Sequence, residues 1–299
     1  MKKLLVLGAL VALFTFTGVK CQKEEKFDIN KIPVEKVKVG DIEIAYKTMG
    51  TGEPMILVMG LTGTMDAWNP KVLENLSKNY QVTIFDNRGM GLTTSTGKDY
   101  TMETLADDTA GLMDALAINK AYVLGWSMGT YVSEELVLKY PDKVNKLILY
   151  AGDCGTPGIV FAPTKEVMDD LMDDSGTEKE QGQKKMKLLF PDKWLADHTD
   201  IFEYFPKITE ETTPENMTLQ FSASDGWKGT CDRIQNIKTP TLLVTGTDDI
   251  LTPPANSQYL SQKISDSWLV RFPDSGHGMM YQYPDNFVNV VTNFINNSK

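Results

Sequence analysis

The segment Gly125-Trp126-Ser127-Met128-Gly129 decides the fold class, because it separates two different apolar patterns. Residues 121–124 before it form a short, wholly apolar run, which is typical of a strand buried on both faces. Residues 128–139 after it have the spacing of a helix. A serine between such a strand and a helix predicts a tight turn that projects its hydroxyl above the sheet, and the flanking glycines permit that turn.

Short apolar runs recur along the chain and alternate with helical patterns. Two runs, at 34–39 and 42–46, flank Gly40-Asp41 and predict an opening hairpin. The other apolar runs are at 55–59, 82–85, 121–124, 147–150, 242–244 and 268–272, and the helical patterns are at 67–78, 102–116, 128–139, 255–264 and 284–297. This alternation predicts an α/β protein with a doubly wound, mostly parallel sheet.

The segment 153–238 interrupts the alternation. It is acidic, helical only in part, and has no strong strand pattern. We therefore predict a helical cap inserted into an α/β core, with the core at 34–152 and 239–299. Cys154 and Cys231 bracket the insertion, whose two ends return to the same edge of the sheet. The sequence leaves two states open for them, a disulfide in an exported protein or two free buried thiols.

A serine hydroxyl becomes a good nucleophile only beside a general base, and the chain contains two histidines. His277 lies on a glycine-containing loop just after the last predicted strand, and we predict that it is the base. His198 lies within the insertion on a predicted surface helix. It is either a solvated side chain or a substrate contact of the cap.

The base in turn needs an acid that holds its tautomer and stabilises its imidazolium form. Gly246-Thr247-Asp248-Asp249 follows the run at 242–244, at the sheet edge where the other loops converge. We predict that Asp249 is the acid. Asp248 is the alternative, although it is also suited to capping the turn.

With Ser127, Asp249 and His277 in this chain order, the sequence resembles the α/β-hydrolase superfamily over roughly residues 35–297. The segment FDNRGMG at 85–91 is similar to the family's Asp-x-Arg-Gly-x-Gly turn after the fourth strand. We expect Asp86 and Arg88 to form a turn network and not to bind substrate. Because the nucleophile position holds serine and not aspartate, the resemblance disfavours the dehalogenase and epoxide-hydrolase branches.

The resemblance also implies an oxyanion hole formed by the backbone N–H groups of Leu61 and Met128. Met59 precedes Gly60 and Leu61 where family members usually carry histidine, but backbone donors do not depend on that side chain. Met59, Trp126 and Met279 flank the predicted catalytic turns, which suggests an apolar substrate pocket. Ordinary filling of the core is the alternative for these three side chains.

Composition excludes several other classes of protein. The chain carries 40 acidic and 30 basic residues, a formal net charge of −10, whereas nucleic-acid binders usually have a basic surplus. Three cysteines and two histidines, at these spacings, do not form a zinc site. We expect no metal, no organic cofactor and no nucleic-acid partner.

The N-terminal residues predict export. Lys2 and Lys3 precede an uncharged run at 4–16, as in a signal peptide, and the run is too short for a membrane span. We predict a signal peptide at 1–20 and a tether at 21–33. Cys21 at the junction suggests a membrane-anchored lipoprotein. Lys20 stands where a small residue is usual, so a periplasmic or secreted protein without lipid stays open.

Together these features predict an exported serine hydrolase that cleaves a small or medium carboxylic ester or a lactone through an acyl-enzyme on Ser127. The same residues would also suit carbon–carbon bond hydrolysis, acyl transfer or peracid formation. A non-catalytic binding protein on this fold is the alternative from a different class. The sequence indicates neither the natural substrate nor the oligomeric state.

Overall fold

A computed structural model describes residues 27–173, 175–199 and 211–298. The predicted signal peptide and Cys21 lie outside the described residues. Within these ranges no helix is both long enough and apolar enough to cross a membrane.

The described chain forms an eight-stranded sheet in the order β1-β2-β4-β3-β5-β6-β7-β8. Strands β1 and β2 form the predicted hairpin, β2 is antiparallel to β4, and the other neighbours are parallel. The strands are β1 (Glu35–Val39), β2 (Ile42–Met49), β3 (Glu53–Val58), β4 (Tyr80–Phe85), β5 (Ala121–Trp126), β6 (Val144–Tyr150), β7 (Thr241–Gly246) and β8 (Ser267–Phe272). The prediction of a mostly parallel α/β sheet is confirmed.

Helices cover both faces of the sheet, and each face has its own apolar cluster. One cluster includes residues of α1 (Pro70–Ser77), α9 (Met279–Gln282) and α10 (Pro284–Asn297). The opposite cluster includes residues of α2 (Met102–Ala115), α3 (Met128–Lys139) and α8 (Ala255–Lys263). This is the doubly wound arrangement, in which parallel strands are buried on both sides.

Helix α1 begins three residues later than the sequence pattern predicts. The Asn69 side chain accepts hydrogen bonds from the N–H groups of Lys71 and Val72, and Pro70 occupies the first helical position. An asparagine cap followed by proline is a strong start signal, because both satisfy the geometry of the first turn. Residues 65–67 before the cap form a short 3₁₀ turn.

The insertion between β6 and β7 contains helices and no strand in the part that the structure describes. Its helices are α4 (Lys165–Met172), α5 (Glu178–Leu189), α6 (Asp192–Asp197) and α7 (Pro214–Asp225). Cys154 and Cys231 form a disulfide, with their Cα atoms 5.0 Å apart. The disulfide therefore joins the two ends of the insertion where they leave and re-enter the core.

The segment 27–33, the last part of the predicted tether, is packed against the fold. Ile29 is 2% exposed and belongs to the core cluster on the α1 face, and Phe27 and Ile32 pack against the same cluster. Asp28 caps the short 3₁₀ turn Ile29–Lys31 by accepting a hydrogen bond from Asn30. These three apolar side chains pack against the core cluster, so this part of the predicted tether is attached to the fold.

Candidate active site

Ser127 occupies the turn between β5 and α3 with φ 56° and ψ −124°. A non-glycine residue in this region costs about 1–3 kcal/mol and persists only where the surroundings hold it. The two glycines of the motif allow the turn to close. A Cβ on Gly125 would lie 2.3 Å from the carbonyl oxygen of Gly129, and one on Gly129 would lie 2.1 Å from that of Val58. The motif therefore fixes Ser127 above the end of β5.

His277 and Asp249 form a buried pair at the same edge of the sheet. Nδ1 of His277 lies 2.9 Å from Oδ2 of Asp249, and their side chains are 4% and 0% exposed. A carboxylate partner keeps the proton on Nδ1, which leaves the lone pair of Nε2 free to accept a proton. Asp248 is exposed and accepts a hydrogen bond from the neighbouring Thr247, so of the two candidate acids it is Asp249 that contacts the histidine.

Thr252, three residues after Asp249, forms hydrogen bonds with the Asp249 carboxylate. Its hydroxyl donates to Oδ2 at 2.9 Å and also lies 3.2 Å from Nδ1 of His277. The backbone N–H groups of Leu251 and Thr252 donate to Oδ1 at 3.0 and 2.9 Å. Each carboxylate oxygen is therefore engaged, which fixes the direction from which Asp249 meets the imidazole.

The loop that carries His277 is fastened to β5 and β6. The backbone carbonyl of His277 accepts hydrogen bonds from Nε1 of Trp126 at 3.2 Å and from the hydroxyl of Tyr150 at 2.6 Å. The Tyr150 hydroxyl in turn accepts from the N–H of Met280 at 3.1 Å. Because Trp126 precedes Ser127, these bonds bring His277 and Ser127 to the same end of the sheet.

The three predicted substrate-binding side chains are all buried. Met59, Trp126 and Met279 belong to the core cluster on the α1 face. The indole of Trp126 stacks on Tyr150, with ring centroids 5.8 Å apart, and its N–H is engaged by His277. This arrangement corresponds to the core-filling alternative, and it gives Trp126 a role in holding the histidine loop.

The proposed oxyanion donors lie on either side of Ser127. A Cβ on Gly60 would lie 3.1 Å from Cβ of Ser127, so the backbone that leads into Leu61 passes directly beside the serine side chain. Met128 is the first residue of α3, where an N–H group has no acceptor within the helix. The positive end of the helix dipole adds to the attraction for an anion there.

The loop after β3 is held from the turn after β4. Nδ2 of Asn87 donates to the carbonyl of Met59 at 3.0 Å. Asp86 accepts from the N–H groups of Met65 and Leu92 at 2.7 and 3.0 Å. These bonds fix the loop on which Leu61 lies.

Arg88 makes its contacts within the protein. Its guanidinium bonds both carboxylate oxygens of Asp108, at 2.8 and 2.7 Å, and pairs with Asp41 at 2.8 Å. Together with the Asp86 bonds, these contacts form the turn network that the sequence predicts at 85–91.

Hydrogen bonds join the insertion to the catalytic loops. The N–H of Gly278 donates to the carbonyl of Leu189 at 2.8 Å, which joins the end of α5 to the residue after His277. The N–H of Thr62 donates to Oε1 of Gln220 on α7 at 2.5 Å. The helical insertion thus covers both the histidine loop and the loop beside Ser127.

His198 lies apart from these residues, on the insertion. Its ring stacks on Trp194 with centroids 4.0 Å apart, and Nδ1 lies 2.8 Å from the carbonyl oxygen of Trp194. The side chain is half-buried, so full solvation, one of the two roles that the sequence leaves open, does not describe it. In the ranges that the structure describes, no three His, Cys, Asp or Glu side chains are grouped as metal ligands.

Comparison with known proteins agrees with this architecture. The model of the alpha/beta hydrolase fold family matches residues 53–284, and the chain therefore belongs to that family. It is 28% identical to a protein of Azorhizobium caulinodans named "Putative carbamate hydrolase RutD", over 85% of this chain and 96% of that one.

Two solved structures are similar in fold. One is a thermophilic esterase from Thermogutta terrifontis, with a TM-score of 0.75 and 24% identity over 88% of this chain and 98% of that chain. The other is the enol-lactonase from Burkholderia xenovorans LB400, with a TM-score of 0.74 and 23% identity over 88% and 100%.

Proposed function

We propose that this protein is a serine hydrolase that cleaves a small or medium carboxylic ester or a lactone through an acyl-enzyme on Ser127. The observation that carries the proposal is the 2.9 Å contact between His277 and Asp249, at the sheet edge where Ser127 sits in its strained turn. A binding protein has no physical need for a buried, bonded acid–base pair beside such a turn.

In the proposed reaction the Ser127 hydroxyl attacks the carbonyl carbon while Nε2 of His277 takes its proton. Asp249 stabilises the resulting imidazolium but keeps its own charge. The backbone N–H groups of Leu61 and Met128 stabilise the oxyanion of the tetrahedral intermediate. The imidazolium then gives its proton to the leaving alcohol, which produces the acyl-enzyme.

Hydrolysis of the acyl-enzyme repeats the sequence with water as the nucleophile. His277 deprotonates the water, which attacks the acyl carbon, and the proton returns to Ser127 as the carboxylic acid leaves. No step calls for a metal or an organic cofactor. Diketone cleavage, acyl transfer and peracid formation use the same groups, and no contact in the described residues favours them over ester hydrolysis.

A panel of nitrophenyl esters with graded acyl chains tests the proposal. A nitrophenyl carbamate belongs in the panel, because a relative is named for carbamate hydrolysis and the same attack applies to its carbonyl. Ser127→Ala should lose about 10⁴- to 10⁶-fold in activity, as in dismantled serine triads. If the variant kept more than a tenth of the activity, Ser127 would not be the nucleophile.

We also propose that residues 1–20 direct export and that Cys21 carries lipid on a membrane surface. The support is the basic start, the uncharged run at 4–16 and the cysteine at the junction. One acyl chain binds membranes only marginally, whereas two or more anchor a protein stably. Cell fractionation with mass spectrometry of the N-terminal peptide decides this. An unprocessed Met1 in the cytosol contradicts export, and a cleaved but unmodified terminus contradicts only the lipid.

A further inference from the structure

Gln220 on α7 carries a buried hydrogen-bond donor that has no acceptor among the residues that the structure describes. Its side chain is 0% exposed, and Oε1 accepts the N–H of Thr62 at 2.5 Å. Among the described residues, Nε2 has no hydrogen-bond partner. Burying an amide N–H without an acceptor is unfavourable, and native proteins rarely do so without a reason. An acceptor from outside the chain, either a water or a substrate oxygen, would satisfy this donor.

The position of this donor points to the substrate. Thr62 follows Leu61, whose N–H is the proposed oxyanion donor, and Thr62 itself lies in the left-handed region with φ 56°. Oε1 and Nε2 of Gln220 are bonded to the same carbon atom. The hydrogen bond that Oε1 accepts from Thr62 therefore also holds Nε2 beside the loop that carries Thr62. Gln220 thus reaches from the insertion to the wall of the proposed site.

Helix α7 is fixed over this edge of the sheet by two further contacts. Asn216 packs against Gly89, where a Cβ would lie 3.1 Å from Cγ of Asn216. Just before the helix, the hydroxyl of Thr212 accepts the N–H of Gly91 at 3.0 Å. These contacts hold α7 independently of Gln220, so the free amide of Gln220 is presented from a positioned helix.

We propose that Nε2 of Gln220 is a specificity-determining donor for a second acceptor oxygen of the substrate, close to the scissile carbonyl. This inference rests on the proposed ester hydrolysis. An amide nitrogen only donates, so it takes an ether, ketone, hydroxyl or ring oxygen. A neutral donor suits a neutral acceptor, since a buried carboxylate would need a cation or several donors. The substrate class is therefore an oxygen-substituted ester or lactone, not a simple alkanoate.

A pair of nearly isosteric esters tests this assignment. Nitrophenyl methoxyacetate differs from nitrophenyl butanoate by one oxygen in place of a methylene. The measured quantity is kcat/KM for the methoxyacetate divided by kcat/KM for the butanoate. Comparing this ratio between the wild type and each variant cancels the different intrinsic reactivity of the two esters. Gln220→Met should lower this ratio about fivefold to tenfold, the range of one lost hydrogen bond. Glu215→Gln, an exposed change on the same helix, should leave the ratio unchanged.

The outcomes separate the possible roles of Gln220. If Gln220→Met lowers kcat for both esters equally, the side chain only positions the Thr62 loop, and the substrate contact is wrong. If the variant fails to fold, the wild-type protein alone still tests the substrate contact. Its preference for the methoxyacetate should exceed the ratio of the two hydroxide-catalysed rates by at least about fivefold. A preference equal to that chemical ratio overturns the inference, whereas a protein that hydrolyses neither ester contradicts the proposed function itself.

Discussion

The indole N–H of Trp126 donates a 3.2 Å hydrogen bond to the backbone carbonyl of His277, which joins the residue before the proposed nucleophile to the proposed base. The two residues are 151 positions apart in the chain, and their rings lie 5.9 Å apart. The relative position of serine and histidine therefore depends on a buried aromatic side chain that does not itself react.

We expect Trp126→Phe to reduce kcat about fivefold with little change in KM, because the loss of one hydrogen bond loosens the histidine loop by about 1 kcal/mol. Trp227→Phe is the matched control. It removes the 2.7 Å bond from the indole N–H of Trp227 to Glu135 on α3, and Trp227 belongs to the apolar cluster on the opposite face of the sheet. Steady-state kinetics and thermal melts of both variants check the prediction. Equal losses of kcat in both would show that general destabilisation, not loop position, is responsible.

Asp249→Asn should cost about 10⁴-fold in kcat/KM, because an amide at this position favours the wrong imidazole tautomer. Asp248→Asn should change kcat/KM less than twofold, a small effect that follows from its exposed position. The two variants differ by one position in the chain and carry the same chemical change. The reverse ranking, or equal mild losses, would overturn the assignment of the acid.

Removal of the disulfide should destabilise the protein while leaving the reacting groups in place. Cys154 and Cys231 are separated by 77 positions, and closing a loop of that length stabilises by up to about 4.5 kcal/mol in the chain-entropy account. The double variant Cys154→Ser, Cys231→Ser should therefore melt at a lower temperature. Dithiothreitol should lower the melting temperature of the wild type and have no effect on the double variant. An unchanged melting temperature in the variant would contradict the bond.

Glu134 on α3 makes the stability depend on pH. Burial raises the pKa of its carboxyl well above the usual range, even though the Thr230 hydroxyl donates to it. The folded state thus holds a proton that the unfolded chain releases at lower pH. Stability is full below the unfolded pKa of about 4.3 and falls as the pH rises, with a limiting slope of about 1.4 kcal/mol per pH unit.

Glu134→Gln should therefore flatten the decline of stability between pH 5 and pH 8 and raise the melting temperature at pH 8. Glu166→Gln, an exposed change on α4, serves as the control and should leave the pH profile as it is. Denaturant unfolding at several pH values gives the profile. A Glu134→Gln profile that is parallel to the wild type would contradict the buried proton.

Much of the fold could be predicted from the sequence, because the patterns that indicate strands and helices lie in short contiguous segments. Helix α3 begins and ends where the pattern predicts, and each predicted strand is present with ends shifted by at most a few residues. Strand order is not local. The position of β4 between β2 and β3 depends on pairings between distant segments, which no single run of residues encodes.

The candidate site also contains residues that the sequence predicts and residues that it does not. Ser127, Asp249 and His277 follow strand ends, so the residues that flank them are recognisable in the chain. The bond from the Leu251 N–H to Asp249 was within reach of the sequence, since an aspartate side chain commonly bonds the backbone two residues further on. The role of Gln220 could not be predicted, because no pattern near it in the sequence indicates that α7 lies against the loop at Thr62.

The most direct test of the central claim is to map the residue that a fluorophosphonate probe modifies. We expect one adduct per chain, on the peptide that contains Ser127, with no labelling of Ser127→Ala and much slower labelling of His277→Ala. Ser261→Ala, a change on α8 outside the site, should label like the wild type. An adduct on another residue, or full labelling of Ser127→Ala, would contradict the claim that Ser127 is a nucleophile activated by His277.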